Sequence, residues 1–191
     1  PIEGFVRSAE FIKREGEWYV MFCVNTLAAP VVTTTSIVGV DFNSVGNIAV
    51  LSDPQTGHVR HLGWDGAGSK DNFRRRKAHL ASQGKFQLLS KLRRKQSRRS
   101  SYQNHCVSKQ IVDYAVSHCC AIAVESLKGI SSSGSKAKRY VQKSQWAFAQ
   151  LLSFVQYKAA LHGIPVVSVN PAYTSQTCSR CGSITKPDHK W

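Results

Sequence analysis

The chain has 191 residues, with 26 Lys and Arg against 11 Asp and Glu, a net charge of +15 and a pI near 9.9. Hydrophobic residues make up 42%, enough for one domain core, which excludes wholesale disorder. No run approaches the ~18 apolar residues of a membrane span, and Pro1-Ile2-Glu3-Gly4 does not open a signal peptide.

Residues 4–13 and 17–25 read as a β-hairpin turning at Arg14-Glu15-Gly16-Glu17, because Trp18 to Val24 is rich in β-formers. Residues 26–35 read as a linker. Three successive antiparallel strands follow: Ile37 to Asp41, Asn47 to Leu51, and His58 to Leu62, the last two joined by a turn at Asp53-Pro54-Gln55-Thr56-Gly57. Glycines mark 63–69 as a loop. Residues 70–99 read as helical with a possible break at Gly84, and 102–118 as a further helix with Val107, Ile111, Tyr114 and Ala115 on its buried face. Cys119 to Glu125 is a short apolar run that suits a strand buried on both faces. Residues 131–139 read as a flexible basic loop, 142–162 as a helix ended by Gly163, and Ile164 to Val169 as a strand. The order predicts an α/β fold with a mixed sheet flanked by helices.

Charge is concentrated. Residues 1–69 carry 4 basic and 7 acidic side chains, residues 70–99 carry 12 and 1, and residues 100–191 carry 10 and 3. Thirty residues thus hold +11 of the net +15. Such a block repels itself unless a polyanion screens it, and it points to phosphate. Arg74, Arg75, Arg76, Lys77, Arg93, Arg94, Lys95, Arg98 and Arg99 are the candidate nucleic-acid residues. Arginines grip phosphate bidentately, so they position a backbone and do not read its sequence. The apolar residues between them are too few for a membrane-seeking face. Lys109 and Lys128 read as exposed charge, Trp146 as core, and His105 as a packed polar helix residue.

Asp41 and Glu125 each close an apolar strand, where an ionised carboxylate is costly unless something stabilises it. On neighbouring strands they would repel, and a divalent cation between them would remove the repulsion. A pair of such cations activates water and stabilises the leaving oxygen in phosphodiester cleavage. The residues alone also fit a structural role, with Asp41 opening an Asx-type turn and Glu125 capping the next segment.

Cys178 and Cys181 have the spacing of half a zinc site, and Gly182 permits the turn that presents both thiolates. The other four cysteines, Cys23, Cys106, Cys119 and Cys120, sit in apolar or helical stretches and read as small hydrophobes of a reduced, cytoplasmic protein. No initiator Met is present, the only Met being Met21, which predicts a fragment or processed chain.

These residues carry a family likeness. Gly39-Val40-Asp41-Phe42-Asn43 resembles the opening catalytic strand of the RuvC-like domain in TnpB proteins and type V CRISPR effectors. Ala123 to Ile130 is similar to the family's glutamate segment, Asn104 to Val112 to the helix before it, and Val167 to Gly182 to the stretch entering a zinc-bearing insertion. The hairpin resembles the end of a wedge-type β-barrel. The resemblance implies an RNase H-like (RuvC-like) fold over 36–173, a wedge remnant and linker over 1–35, and the start of a zinc-bearing, target-nucleic-acid-binding insertion over 174–191. It implies RNA-guided DNA cleavage, with guide RNA and target DNA as partners and no membrane. It places Asp41 and Glu125 on catalytic Mg²⁺, and Cys178 and Cys181 on structural zinc. The family pattern continues with a second Cys-x-x-Cys and a third catalytic Asp, neither of which occurs before Trp191, so the rest of the same protein or a companion fragment is expected to supply them. The competing expectations are a nuclease-inactive, RNA-guided DNA-binding protein of the same family and a guide-free RNase H-like nuclease.

Overall fold

Apolar alternation along Ser36–Phe42 builds the centre of the molecule. In a computed structural model, which describes residues 4–26, 29–43, 46–64, 69–126, 135–170, 177 and 181–184, this strand is β3. It follows a hairpin of β1 (Gly4–Arg14) and β2 (Glu17–Thr26) and precedes β4 (Asn47–Asp53) and β5 (His58–Trp64). Helices α1 (Ser69–Ser82) and α2 (Phe86–Ser117) lead to β6 (Cys120–Glu125), and α3 (Ser135–Leu161) leads to β7 (Val166–Val169). The five-stranded sheet has the order β5-β4-β3-β6-β7. β3 pairs antiparallel with β4 and parallel with β6, so the sheet is mixed, as expected. Both helical crossovers progress toward the β7 edge. Right-handed connections therefore place α2 and α3 on one face of the sheet.

That face is the core. Val38, Val40, Ala49, Leu51, Ile122 and Val124 meet Val107, Ile111 and Ala115 of α2 and Leu151, Val155 and Ala159 of α3. The opposite face of the strands is open among the described residues: Ile37 and Val167 are about half exposed. The period of two is what separates these sets, because successive strand side chains point to opposite faces.

Three sequence expectations are corrected. First, the helices read at 86–99 and 102–118 are one 32-residue helix. Ser100 and Ser101 weaken local propensity, but neither forbids helical geometry, and packing of the second half carries the first. Gly84 does divide α1 from α2, at φ +65°, where the left-handed region suits glycine. Second, Ser135–Arg139 of the expected loop is the first part of α3, and residues 131–134 lie outside the described residues. Third, Cys23 and Cys119 are exposed and Cys106 is half-buried, so among the four only Cys120 behaves as a core residue.

The linker is tied down. Val32 N–H donates to the Gly163 carbonyl at 2.9 Å and Thr35 N–H to the Cys119 carbonyl at 3.1 Å. Gly163 has φ +65°, and a Cβ there would overlap the Pro30 carbonyl oxygen. The hairpin forms a two-stranded sheet of its own, with Phe5, Phe11, Trp18 and Phe22 all more than 60% exposed.

Candidate functional site

The β3–β6 register runs from Ser36 opposite Cys120 to Val40 opposite Val124. One further step sets Asp41 beside Glu125. Val38 and Val40 are buried against the helices, so Gly39 and Asp41 lie on the open face. Val124 is likewise buried, and Glu125 follows it onto the same open face. Parallel pairing is the reason both carboxylates reach one end: each closes its strand in the same direction.

The ends of both strands are fixed from behind. Phe42 stacks on Phe148 of α3, with ring centroids 6.3 Å apart. Asn43 N–H donates to the Ile48 carbonyl, and Ser126 N–H to that of Val169 at 2.8 Å. Partial desolvation and then the charge of Glu125 raise the Asp41 carboxyl above its ordinary range, while hydrogen bonds from the Asn43 side chain and the Phe42 backbone pull it back. The influence of Glu125 on Asp41 reflects two like charges held close together. Two carboxylates offer oxygen donors of the kind a hard divalent cation takes. Among the described residues no group of three His, Cys, Asp or Glu converges on one point.

The basic residues lie on α1 and α2. Arg74, Arg75, Arg76, Arg93, Arg94, Lys95, Arg98 and Arg99 are exposed, and Lys77 is half-buried with its ammonium donating to Gln96 at 2.8 Å. That bond clamps α1 to α2. β6 advances about 17 Å along its length. Helix α2, which returns along it, needs roughly eleven residues for the same distance. From about Cys106 backward, α2 therefore extends past the end of the sheet that carries Asp41 and Glu125. The cationic half of the helix is the projecting half.

Cys181 lies beside Gly182, which has φ +71°, inside a turn closed by the antiparallel bridge between Thr177 and Ile184. Its Sγ is 3.1 Å from Ser183 Oγ. Cys178 and Lys128 lie outside the described residues, as does the side chain of Trp146. His105 is exposed and stacks on Phe154 at 3.9 Å.

Two polar clusters escaped the sequence reading. Asp53, 3% exposed, accepts from Tyr114 Oη, Thr56 Oγ1 and Gln55 N–H, each at 2.9 Å. Desolvation pushes its carboxyl up, but these donors outweigh it and leave the pKa below the ordinary value. The sequence announced the turn through Asp53-Pro54, but not the tyrosine 61 residues away. Lys158 of α3 donates to the His105 carbonyl and to Ser108 Oγ, both at 2.7 Å. Asn104 donates to Gln150 at 3.0 Å, so among the described residues three hydrogen bonds join α2 to α3.

Comparison with known proteins finds partial matches. The Cas12f1-like TNB domain model matches residues 148–191. The chain is 41% identical over 85 residues to the CRISPR-associated endodeoxyribonuclease Cas12f1 of Syntrophomonas palmitatica, covering 44% of this chain and 16% of that protein. It is 29% identical over 103 residues to the TnpB-like protein MJ0751 of Methanocaldococcus jannaschii, covering 53% and 37%. A Cas12f1 chain from a cryo-EM structure of a Cas12f1–sgRNA–target DNA complex has a similar fold, with TM-score 0.60, 18% identity, and coverage of 92% of this chain and 45% of that one. The chain therefore spans less than half the length of each of these proteins. On the ordered motifs, the matched segments and the shared mixed α/β fold, the chain is similar to proteins of the TnpB and type V CRISPR effector family.

Proposed function

We propose that this chain is the RuvC-like nuclease portion of an RNA-guided DNA endonuclease, hydrolysing phosphodiester bonds with divalent metal. The observation that carries the reading is the parallel register of β3 on β6 up to Val40 opposite Val124, which sets Asp41 and Glu125 next to each other at the end of the sheet past which a cationic helix projects. The sheet order, with three antiparallel strands and two parallel ones added through helices, supports an RNase H-like fold. The relatives' name, endodeoxyribonuclease, supports DNA as substrate. The sgRNA and target DNA of the Cas12f1 neighbour support guide RNA and target DNA as partners.

Asp41 and Glu125 would hold Mg²⁺, whose donor preference and charge suit two carboxylates set side by side at one end of the sheet. When bound, the cation supplies an activated water and charge stabilisation at the leaving oxygen. The chain's own work is positional. β3 and β6 hold the carboxylates in register, Asn43 favours the ionised form of Asp41, and Arg74, Arg75 and Arg76 of α1 with Arg93, Arg94 and Arg99 of α2 neutralise phosphates on the incoming strand. The remainder of the protein, or a companion fragment, completes the carboxylate set. Cys178 and Cys181 would give two thiolates to a structural zinc, a reading supported by their spacing and by the Gly182 turn.

The test is Asp41→Ala in the intact protein with guide RNA, target DNA and Mg²⁺. Cleavage falls by at least ~10³-fold while RNA-guided DNA binding is retained. Cleavage that persists removes the assignment. A wild-type protein that binds target yet cuts in no metal is the nuclease-inactive family member instead.

A further inference from the structure

Helix α2 has a face that neither the core nor the carboxylate site uses. Its buried residues Asn104, Val107, Ile111 and Ala115 form one stripe, at i, i+3, i+7 and i+11. At 100° per residue, Lys91, Lys95, Arg98, Tyr102, His105 and Lys109 lie around the opposite side, and all six are exposed. The stripe is about 27 Å long at 1.5 Å per residue. From Asn72 to Val112 the sequence contains no Asp or Glu, so the only partner that matches the charge is a polyanion.

Tyr102 is the unexpected member. It is 71% exposed in the middle of this cationic row, where an aromatic ring gains nothing from folding. His105 beside it stacks on Phe154, and Phe154 meets Tyr157 edge-on at 6.0 Å. Tyr157 is 45% exposed. The aromatic surface therefore continues from α2 onto α3. Flat rings between cations are the chemistry of unpaired-base binding: the cations follow the phosphates while the rings take the base faces.

The position selects the strand. The α2–α3 layer covers the core face of the sheet, and Asp41 and Glu125 open on the other face. Lys95, Arg98 and Tyr102 precede Cys106, in the part of α2 that runs past the sheet end, and they sit on its side away from the buried stripe, so a strand held there faces away from the side on which Asp41 and Glu125 open. We propose that Tyr102 is a stacking site for an unpaired base of the guide RNA, and that Lys95 and Arg98 hold the flanking phosphates. This rests on the RNA-guided reading above and adds a site and its ligand class to it.

The experiment uses the intact protein and three fluorescent probes of equal length: an unstructured single-stranded RNA, the DNA of the same sequence, and an RNA duplex. Affinities are measured over a salt series. Tyr102→Ala weakens single-stranded RNA binding by about 5- to 150-fold, leaves the salt slope unchanged and spares the duplex, and Tyr102→Phe restores binding. Lys95→Ala and Arg98→Ala each reduce the single-strand salt slope by about 0.7. If the Lys95 and Arg98 variants act but Tyr102→Ala is silent, or equal on single strand and duplex, the stacking site is wrong and the basic interface stands. If Tyr102→Ala weakens single-stranded DNA as much as RNA, the assignment to the guide is wrong. If wild type binds none of the probes, both the site and the nucleic-acid reading of α2 fail.

Discussion

Helix α2 is two structures on one backbone. From Asn104 to Ala115 it buries Val107, Ile111, Val112, Tyr114 and Ala115 against the sheet. From Phe86 to Arg99 it buries only Leu89 and Leu92, and it carries Lys91, Arg93, Arg94, Lys95, Arg98 and Arg99. The first half of the comparison concerns stability and the second concerns charge. An isolated helix as basic as Phe86 to Arg99 would be marginal, since like charges three and four residues apart repel. It persists because the buried half nucleates it and because Lys77 and Gln96 brace it against α1. The lesson is that a rigid core can project a cationic lever that has little stability of its own.

Changes in each half should therefore separate binding from folding. Replacing Arg93, Arg94, Arg98 and Arg99 together by Ala lowers nucleic-acid affinity by roughly 10³-fold near 0.1 M salt, by lost counterion release. The same variant keeps its unfolding midpoint, because exposed charges contribute little to stability. A midpoint that falls with affinity would break the division. Ile111→Ala in the other half destabilises by about 2–5 kcal/mol, the cost of a cavity at a fully buried position, as denaturant titration of the intact protein will read.

Two smaller effects sharpen the comparison through pH. Tyr114→Phe removes a donor from Asp53 and lowers the thermal midpoint by several degrees. Because the native Asp53 carboxyl is depressed, its stabilisation is present above the ordinary aspartate range and is lost as pH falls through the native pKa. The gap between wild type and variant is thus widest near neutrality and narrows in acid. A gap independent of pH would mean that Tyr114 acts by packing alone. Asp41 has the opposite sign. Its raised pKa means ionisation opposes folding above that pKa, so Asp41→Asn stabilises the metal-free protein near neutrality. The gain is below about 1 kcal/mol for an exposed pair, and it disappears once acid protonates the wild-type carboxyl. Mg²⁺ should raise the midpoint of wild type and not of Asp41→Asn.

Much of the fold was legible because its signals are local. The turns at Gly16 and Asp53-Pro54, the apolar alternation of Ile37 to Asp41, and the β-rich run of Cys120 to Val124 each declare themselves within a few residues. The start of α3 and the continuity of α2 were not legible. Ser100, Ser101 and the serines before Lys136 lower helix propensity without forbidding it, and distant packing decides such cases. Cys23 and Cys119 misled for a related reason: an apolar neighbourhood in sequence does not say which face of an element a residue occupies.

By itself, the sequence determined which chemistry this protein carries: two strand-end carboxylates, a Cys-x-x-Cys turn and a dense cationic block, because residue type and short spacing are local properties. Only the tertiary structure decided how these are combined. Parallel pairing of β3 with β6 brings together Asp41 and Glu125, 84 residues apart, on one face of the sheet. Packing of α2 against the other face sends its arginines past the sheet end and leaves Tyr102 turned to solvent. These relations depend on long-range register and crossover direction, which no short stretch of residues can encode.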